Sequence, residues 1–200
     1  MLEEILTGLR ATSPLEAISV VLGLAYSVLA VRRSRYCWVA GACSSAILAY
    51  LAARGRLPMQ ALLQAYYVLV SVYGFWHWSG STHGAVRAVG TWPLRAHLLA
   101  AAGVLVASLL TAHWLAAQTQ AAWPYLDSAT TWASLVATWL VARMKLENWL
   151  YWIAIDAASI VLFGAQHLYF VALLFAAYLG ISAVGFLAWL KDYRMQAQPA

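Results

Sequence analysis

Charge is scarce in this chain. Of its 200 residues only 10% are Asp, Glu, Lys or Arg, while 64% are hydrophobic and mean hydropathy is +0.73. A soluble domain of this size carries far more charge to cover its surface, so an ordinary soluble fold is excluded. Cysteine is nearly absent too. Cys37 and Cys43 share one apolar run, which implies packing at lipid depth and neither a disulfide framework nor a metal site. The five histidines, His77, His83, His97, His113 and His167, are scattered, and none pairs with another His or Cys at metal-ligand spacing. A GxxxxGK[ST] loop is missing, which excludes nucleotide binding of the P-loop kind. Little supports catalysis, and no cofactor is implied. Long soluble loops are also lacking, the longest being 79–95 and 118–127, so function is expected within apolar segments. Glu3 and Glu4 stand where a signal peptide would carry basic residues. The first apolar run is therefore expected to be retained.

What the chain does have is a succession of apolar runs of about bilayer length, roughly 17–25 residues each. They fall at about 14–31, 36–53, 58–78, 96–117, 128–143, 148–165 and 168–189. The fifth and sixth are short and need Thr130, Thr131 and Asn148 inside or at the interface. No run shows the period-2 alternation of a barrel strand, so the fold class is an all-α membrane protein with seven transmembrane helices in one domain spanning 1–200. Arg10, Arg54 and Arg56 fall on the N-terminal side. Arg32, Arg33, Arg35, Arg87, Arg95, Arg143, Lys145, Lys191 and Arg194 fall on the other, three cations against nine. The positive-inside rule then places the N-terminus outside and the C-terminus in the cytoplasm. The net charge of +5 marks a cytoplasmic membrane face and not a nucleic-acid footprint, because the cations are spread over short loops and ends.

Two spans resemble each other. ALLQAYYVLVSVYGFWHW (61–78) and ALLFAAYLGISAVGFLAW (172–189) align without gaps and share the Ser, the Gly-Phe pair and the last Trp. Upstream, 35–51 precedes the first much as 148–164 precedes the second, with a small change in loop length. The expected organisation is 3+1+3: a first repeat at 14–78, a connector helix at 96–117 and a second repeat at 128–189. The two repeats start four spans apart, an even number, so they run parallel, and a solute site is expected where they meet.

Polar residues mark that site. In span six, Trp149, Trp152 and Asp156 are spaced i, i+3, i+7, and Asn148 joins the same face. Asp156 lies about 12 Å into the helix. A carboxylate at that depth costs about 2.5–3.5 kcal/mol, so it should face protein or water. It either bonds Ser or Thr hydroxyls between helices or faces a solute. In span three, Gln64, Tyr67, Ser71 and Trp78 form a second stripe, flanked by Tyr66, Tyr73, Trp76 and His77. Aromatic faces with a few fixed polar groups suit a flat heterocycle, above all a cationic one. Trp38, Trp92, Trp114, Trp123 and Trp189 lie near span boundaries and read as an interfacial belt. Ser44, Ser45 and Ser159 read as small helix-packing residues.

The patterns LLQ…YG.W.W in span three and ENWLYW…D in span six resemble the PnuC family of bacterial vitamin transporters, over nearly the whole chain. The family pattern WxxWxxx[ND] stands here as Trp149, Trp152 and Asp156, and its span-three glutamine as Gln64. The resemblance implies a SWEET-like homotrimer of the bacterial inner membrane that carries nicotinamide riboside, with relatives that carry thiamine. It further implies facilitated diffusion (uniport), with uptake driven by a cytoplasmic kinase that phosphorylates the arriving vitamin. Ser71 and Asp156 occupy positions where Asn is frequent in that family, which leaves nicotinamide riboside and thiamine both open as cargo. A membrane enzyme or structural protein without translocation is the alternative from another class.

Overall fold

The computed structural model describes residues 12–55, 58–79, 88–118 and 123–196, together with 3 and 7–9. Glu4, Arg10, Arg56, Arg87 and His83, and the middles of the two longest loops, lie outside the described residues. The fold is all-helical, with α1 (Pro14–Val31), α2 (Cys37–Arg54), α3 (Pro58–Ser79), α4 (Leu94–Gln118), α5 (Pro124–Ala142), α6 (Asn148–Ala165) and α7 (Tyr169–Gln196). Five of these, α1, α2, α4, α6 and α7, are long and apolar enough to cross a membrane by themselves. The other two, α3 and α5, carry the glutamines, tyrosines, serines and threonines that lower their hydropathy. Helix α5 starts at Pro124, a turn earlier than the apolar run, and α7 continues to Gln196 past it.

Local chemistry sets the helix ends. Ser13 caps α1 in a capping box: its hydroxyl accepts from the Glu16 amide (3.3 Å) and its own amide donates to Glu16 Oε2 (2.7 Å). Pro14 follows at the first helical position, where its missing N–H is no loss. Helices α1 and α5 end alike. Arg33 and Met144 take left-handed backbone, with φ of 53° and 54°. The next amides reach back to the turn before: Ser34 N to Leu29 O at 3.0 Å, Lys145 N to Leu140 O at 2.9 Å. Both are Schellman closures made without glycine.

Six helices form a closed ring in which each packs on the next: α1, α2, α3, α5, α6, α7 and back to α1. Helix α4 lies outside it against α5, and its apolar side chains, such as Leu94, Leu99 and Leu110, are exposed. Several contacts occur twice at one constant offset, that from Trp38 to Trp149. Trp38 meets Trp78 edge-to-face at 5.4 Å, and Trp149 meets Trp189 the same way at 5.5 Å. Helices α2 and α6 begin at Cys37 and Asn148, again at this offset. The expected change in loop length is therefore absent, because the loops 32–36 and 143–147 close the same motif.

The buried core sits at the end carrying those two loops and contains Trp38, Trp78, Trp149 and Trp189. Trp38 and Trp189, expected in an interfacial belt, are 1% and 0% exposed. They face the ring interior and pack on other indoles, whereas Trp114 and Trp123 are exposed as a belt requires. Glycine makes room for the two inner rings: a methyl on Gly74 would collide with the Trp38 ring, and one on Gly185 would sit 2.7 Å from the Trp149 ring. Gly74→Ala and Gly185→Ala should each lower stability by about 1–3 kcal/mol through overpacking. Thermal unfolding in detergent measures this, with Gly103→Ala, where a methyl meets open space, as the reference.

Candidate functional site: a polar cavity inside the helix ring

The ring encloses a cavity of about 400 Å³, lined by residues of all six ring helices and none of α4. Its volume falls in the range of small-molecule pockets. At one end the lining reaches Gln60 and Asp127, both exposed, near the starts of α3 and α5. At the other the floor is Ala30, Trp38, Val141 and Trp149, with the buried core beneath.

Six of the eight expected site residues line this cavity: Gln64, Tyr67, Ser71, Trp149, Trp152 and Asp156. Gln64 and Ser71 are 6% and 4% exposed, and no hydrogen bond ties either side chain to another described residue. Buried polar groups ordinarily find partners, and these two have only the cavity to face. Asp156 is 2% exposed and accepts a hydrogen bond from Ser182 Oγ at 3.0 Å. Asp156 thus bonds a serine on α7, as the structural reading expects, and it also lines the cavity.

Trp78 and Asn148 are not among the lining residues. Trp78 Nε1 donates to Ala142 O at 3.1 Å beneath the floor. Asn148, fully buried, turns its amide back to Lys145 O at 2.7 Å. Trp78 sits too far along α3 to reach the cavity, whereas Asn148, one residue before the lining Trp149, commits its amide to the preceding loop. Ser44, Ser45 and Ser159 line it, against their reading as packing residues alone; Ser44 also packs, donating to Ser19 O at 2.8 Å.

The sequence reading missed Tyr26 and Ser27 on α1, Asp127, Ser134 and Thr138 on α5, and Tyr178 and Ser182 on α7. The α7 pair was within reach. Tyr178 and Ser182 are identical to Tyr67 and Ser71 in the alignment of the two spans, and at the same offset Asp156 stands where α2 has Ser45. Two carboxylates, Asp127 and Asp156, line the cavity, and no Lys, Arg or His does among the described residues. Such a lining favours a cation or a neutral polar solute and opposes an anion.

A ring of apolar helices around a solute-sized polar cavity defines a multi-pass membrane protein built to hold a small molecule. The family model described as nicotinamide mononucleotide transporter matches residues 13–191, and the chain belongs to this family, the one known as PnuC. The riboflavin/roseoflavin transporter RibM of Streptomyces davaonensis is 27% identical over 185 residues, covering 90% of this chain and 85% of that protein. The nicotinamide riboside transporter PnuC of Escherichia coli is 33% identical over 79 residues, 40% of this chain and 33% of that one. The crystal structure of the vitamin B3 transporter PnuC shares the fold, with a TM-score of 0.73 and 24% identity, covering 98% of this chain and 91% of that chain.

Removing Ser182 Oγ leaves Asp156 without its protein partner. Ser182→Ala should therefore cost about 1 kcal/mol of stability, whereas Ser71→Ala, which breaks no internal bond, should change it by less than about 0.5 kcal/mol. Thermal midpoints of the two variants compare them directly.

Proposed function

We propose that this chain is a uniporter for nicotinamide riboside in the bacterial inner membrane. In this reading all seven helices span the bilayer as SWEET-like 3+1+3 parallel repeats, N-terminus outside and C-terminus cytoplasmic. The observation that carries the choice of cargo is Asp156 on the same cavity as Trp149 and Trp152, with no cationic side chain in the lining among the described residues. A pyridinium ring gains from indole faces and from a carboxylate that water screens poorly. Gln64 and Ser71 are left for the carboxamide or ribose hydroxyls. A phosphorylated nucleotide would bring negative charge to a cavity that offers two carboxylates and, among the described residues, no cation to balance them. The riboside is therefore preferred to the mononucleotide in the family's description. The recurrence of the indole pairs and loop closures at one offset supports the two parallel repeats. Homotrimer assembly, facilitated diffusion and trapping by a cytoplasmic kinase belong to the same proposal and rest on the family resemblance.

A second reading, riboflavin as cargo, is favoured by the match to RibM along nine-tenths of the chain. Riboflavin carries no fixed cation, so Asp156 would then serve only as a hydrogen-bond acceptor. Thiamine, with a cationic thiazolium, is the third ligand to compare.

Titration of the purified protein with the three vitamins separates these readings. Nicotinamide riboside should bind tightest, and Asp156→Ala should weaken it on the order of 10- to 100-fold, as loss of a charge-assisted contact does. Tighter binding of riboflavin with no effect of Asp156→Ala would overturn the proposal. Proteoliposomes enclosing a riboside kinase and ATP should accumulate labelled nicotinamide riboside. A membrane enzyme or structural protein would accumulate none.

A further inference from the structure

Beneath the cavity floor, two indoles that do not line the cavity make the same unusual bond in opposite directions. Trp78, on α3, donates Nε1–H to Ala142 O, the last carbonyl of α5, at 3.1 Å. Trp189, on α7, donates Nε1–H to Val31 O, the last carbonyl of α1, at 3.1 Å and to Ala30 O at 3.2 Å. A helix's last carbonyls have no partner within the helix. Here each is satisfied by a side chain from the other set of three helices. The two donors meet at 6.1 Å between ring centroids. They also hold the floor: Trp78 packs edge-to-face on Trp38, and Trp189 on Trp149.

We propose that Trp78 and Trp189 form a reciprocal latch that keeps the cavity shut at the end bearing loops 32–36 and 143–147, and that solute leaves there only when both cross-bonds break. The pairs α1–α7 and α3–α5 are the only packed junctions between the first and last three helices among the described residues, and each indole bond spans one of them. An outer tie repeats the pattern. Arg33 pairs with Asp192 at 2.8 Å across the first junction, and Arg143 donates to Tyr73 OH at 3.2 Å across the second. Those outer ties are partly exposed and weakened by water and salt, whereas the indole bonds are buried.

The closed end also contains a counterweight. Nε1 of Trp38 and of Trp149 is buried with no acceptor among the described residues. An unmade buried bond raises the free energy of the state that contains it. Two made bonds therefore hold this end closed while two unmade ones favour opening, which keeps a transporter gate near balance rather than locked. Trp78 and Trp189 act as positioning residues, through Trp38 and Trp149 and through the helix ends they cap.

The chain carries its own reporter. Cys37 opens α2 next to Trp38 and is 0% exposed, while Cys43 faces outward. In a Cys43→Ala background, the labelling rate of Cys37 by a membrane-impermeant maleimide reads the opening of this end with no cargo needed. Trp78→Phe together with Trp189→Phe removes both cross-bonds and should raise that rate on the order of tenfold, with each single variant in between. An unchanged rate in a double variant that elutes and melts as a folded protein would overturn the latch. If the double variant does not fold, benzothienylalanine at position 189 keeps the ring shape and deletes only the N–H. Faster labelling then supports the latch, and an unchanged rate overturns it. Because the assay uses no vitamin, its failure leaves the cargo assignment intact, and failure of the cargo titration leaves the latch intact.

Discussion

A helix that ends inside a buried core leaves carbonyls which water does not reach, and α1 and α5 both end so, with Ala30 and Ala142 buried; the rest of this structure follows from how those ends are satisfied. Here α1 and α5 each stop in a Schellman turn that consumes some of the orphan carbonyls, and an indole from α7 or α3 takes the last one. Because each donor belongs to the opposite set of helices, satisfying the backbone and closing the ring are one event. The ring in turn creates an interior that is neither lipid nor bulk water.

That interior explains the distribution of polarity. A glutamine, several hydroxyls and a carboxylate would be costly against acyl chains, and they lie on the ring's inner surface. Helices α3 and α5, the least convincing as spans by hydropathy, contribute Gln60, Gln64, Tyr67 and Ser71 from one and Asp127, Thr130, Thr131, Ser134 and Thr138 from the other. The feature that weakens them as spans equips them as walls. Helix α4, which takes no part in the cavity lining, keeps most of its leucines exposed. The cavity is not symmetric in chemistry even where its contacts recur: α6 supplies Asp156 where α2 has Ser45, and α3 supplies Gln64 where α7 has Phe175. A solute held there would be read differently from its two sides.

Much of the site was legible because a helical face is a local property. Spacing alone put Gln64, Tyr67 and Ser71 together, and likewise Trp149, Trp152 and Asp156, and all six line the cavity. The same rule overreached at Trp78, which shares the stripe of Gln64 but stands about 21 Å further along the axis, below the floor. Asn148, at the start of α6 beside the lining Trp149, fails for a different reason: its amide turns back to the Lys145 carbonyl. Trp38 and Trp189 were misjudged in the opposite sense. Closeness to a span boundary suits a belt, but only the packing of α1 on α7 and α3 on α5 shows those rings turned inward. The serines of α2 and α6 could not be sorted from sequence, since a hydroxyl suits a helix contact and a cavity wall equally.

The sequence by itself determined the apolar helices, their order, the faces on which polar groups lie and the family, because each depends on composition and on short, local periodicity. Tertiary structure decided how far along each face the cavity extends, which tryptophans form its floor, and which indole caps which helix. Those are relations between segments far apart in the chain, set by ring closure and by burial of the helix ends, and no local pattern encodes them.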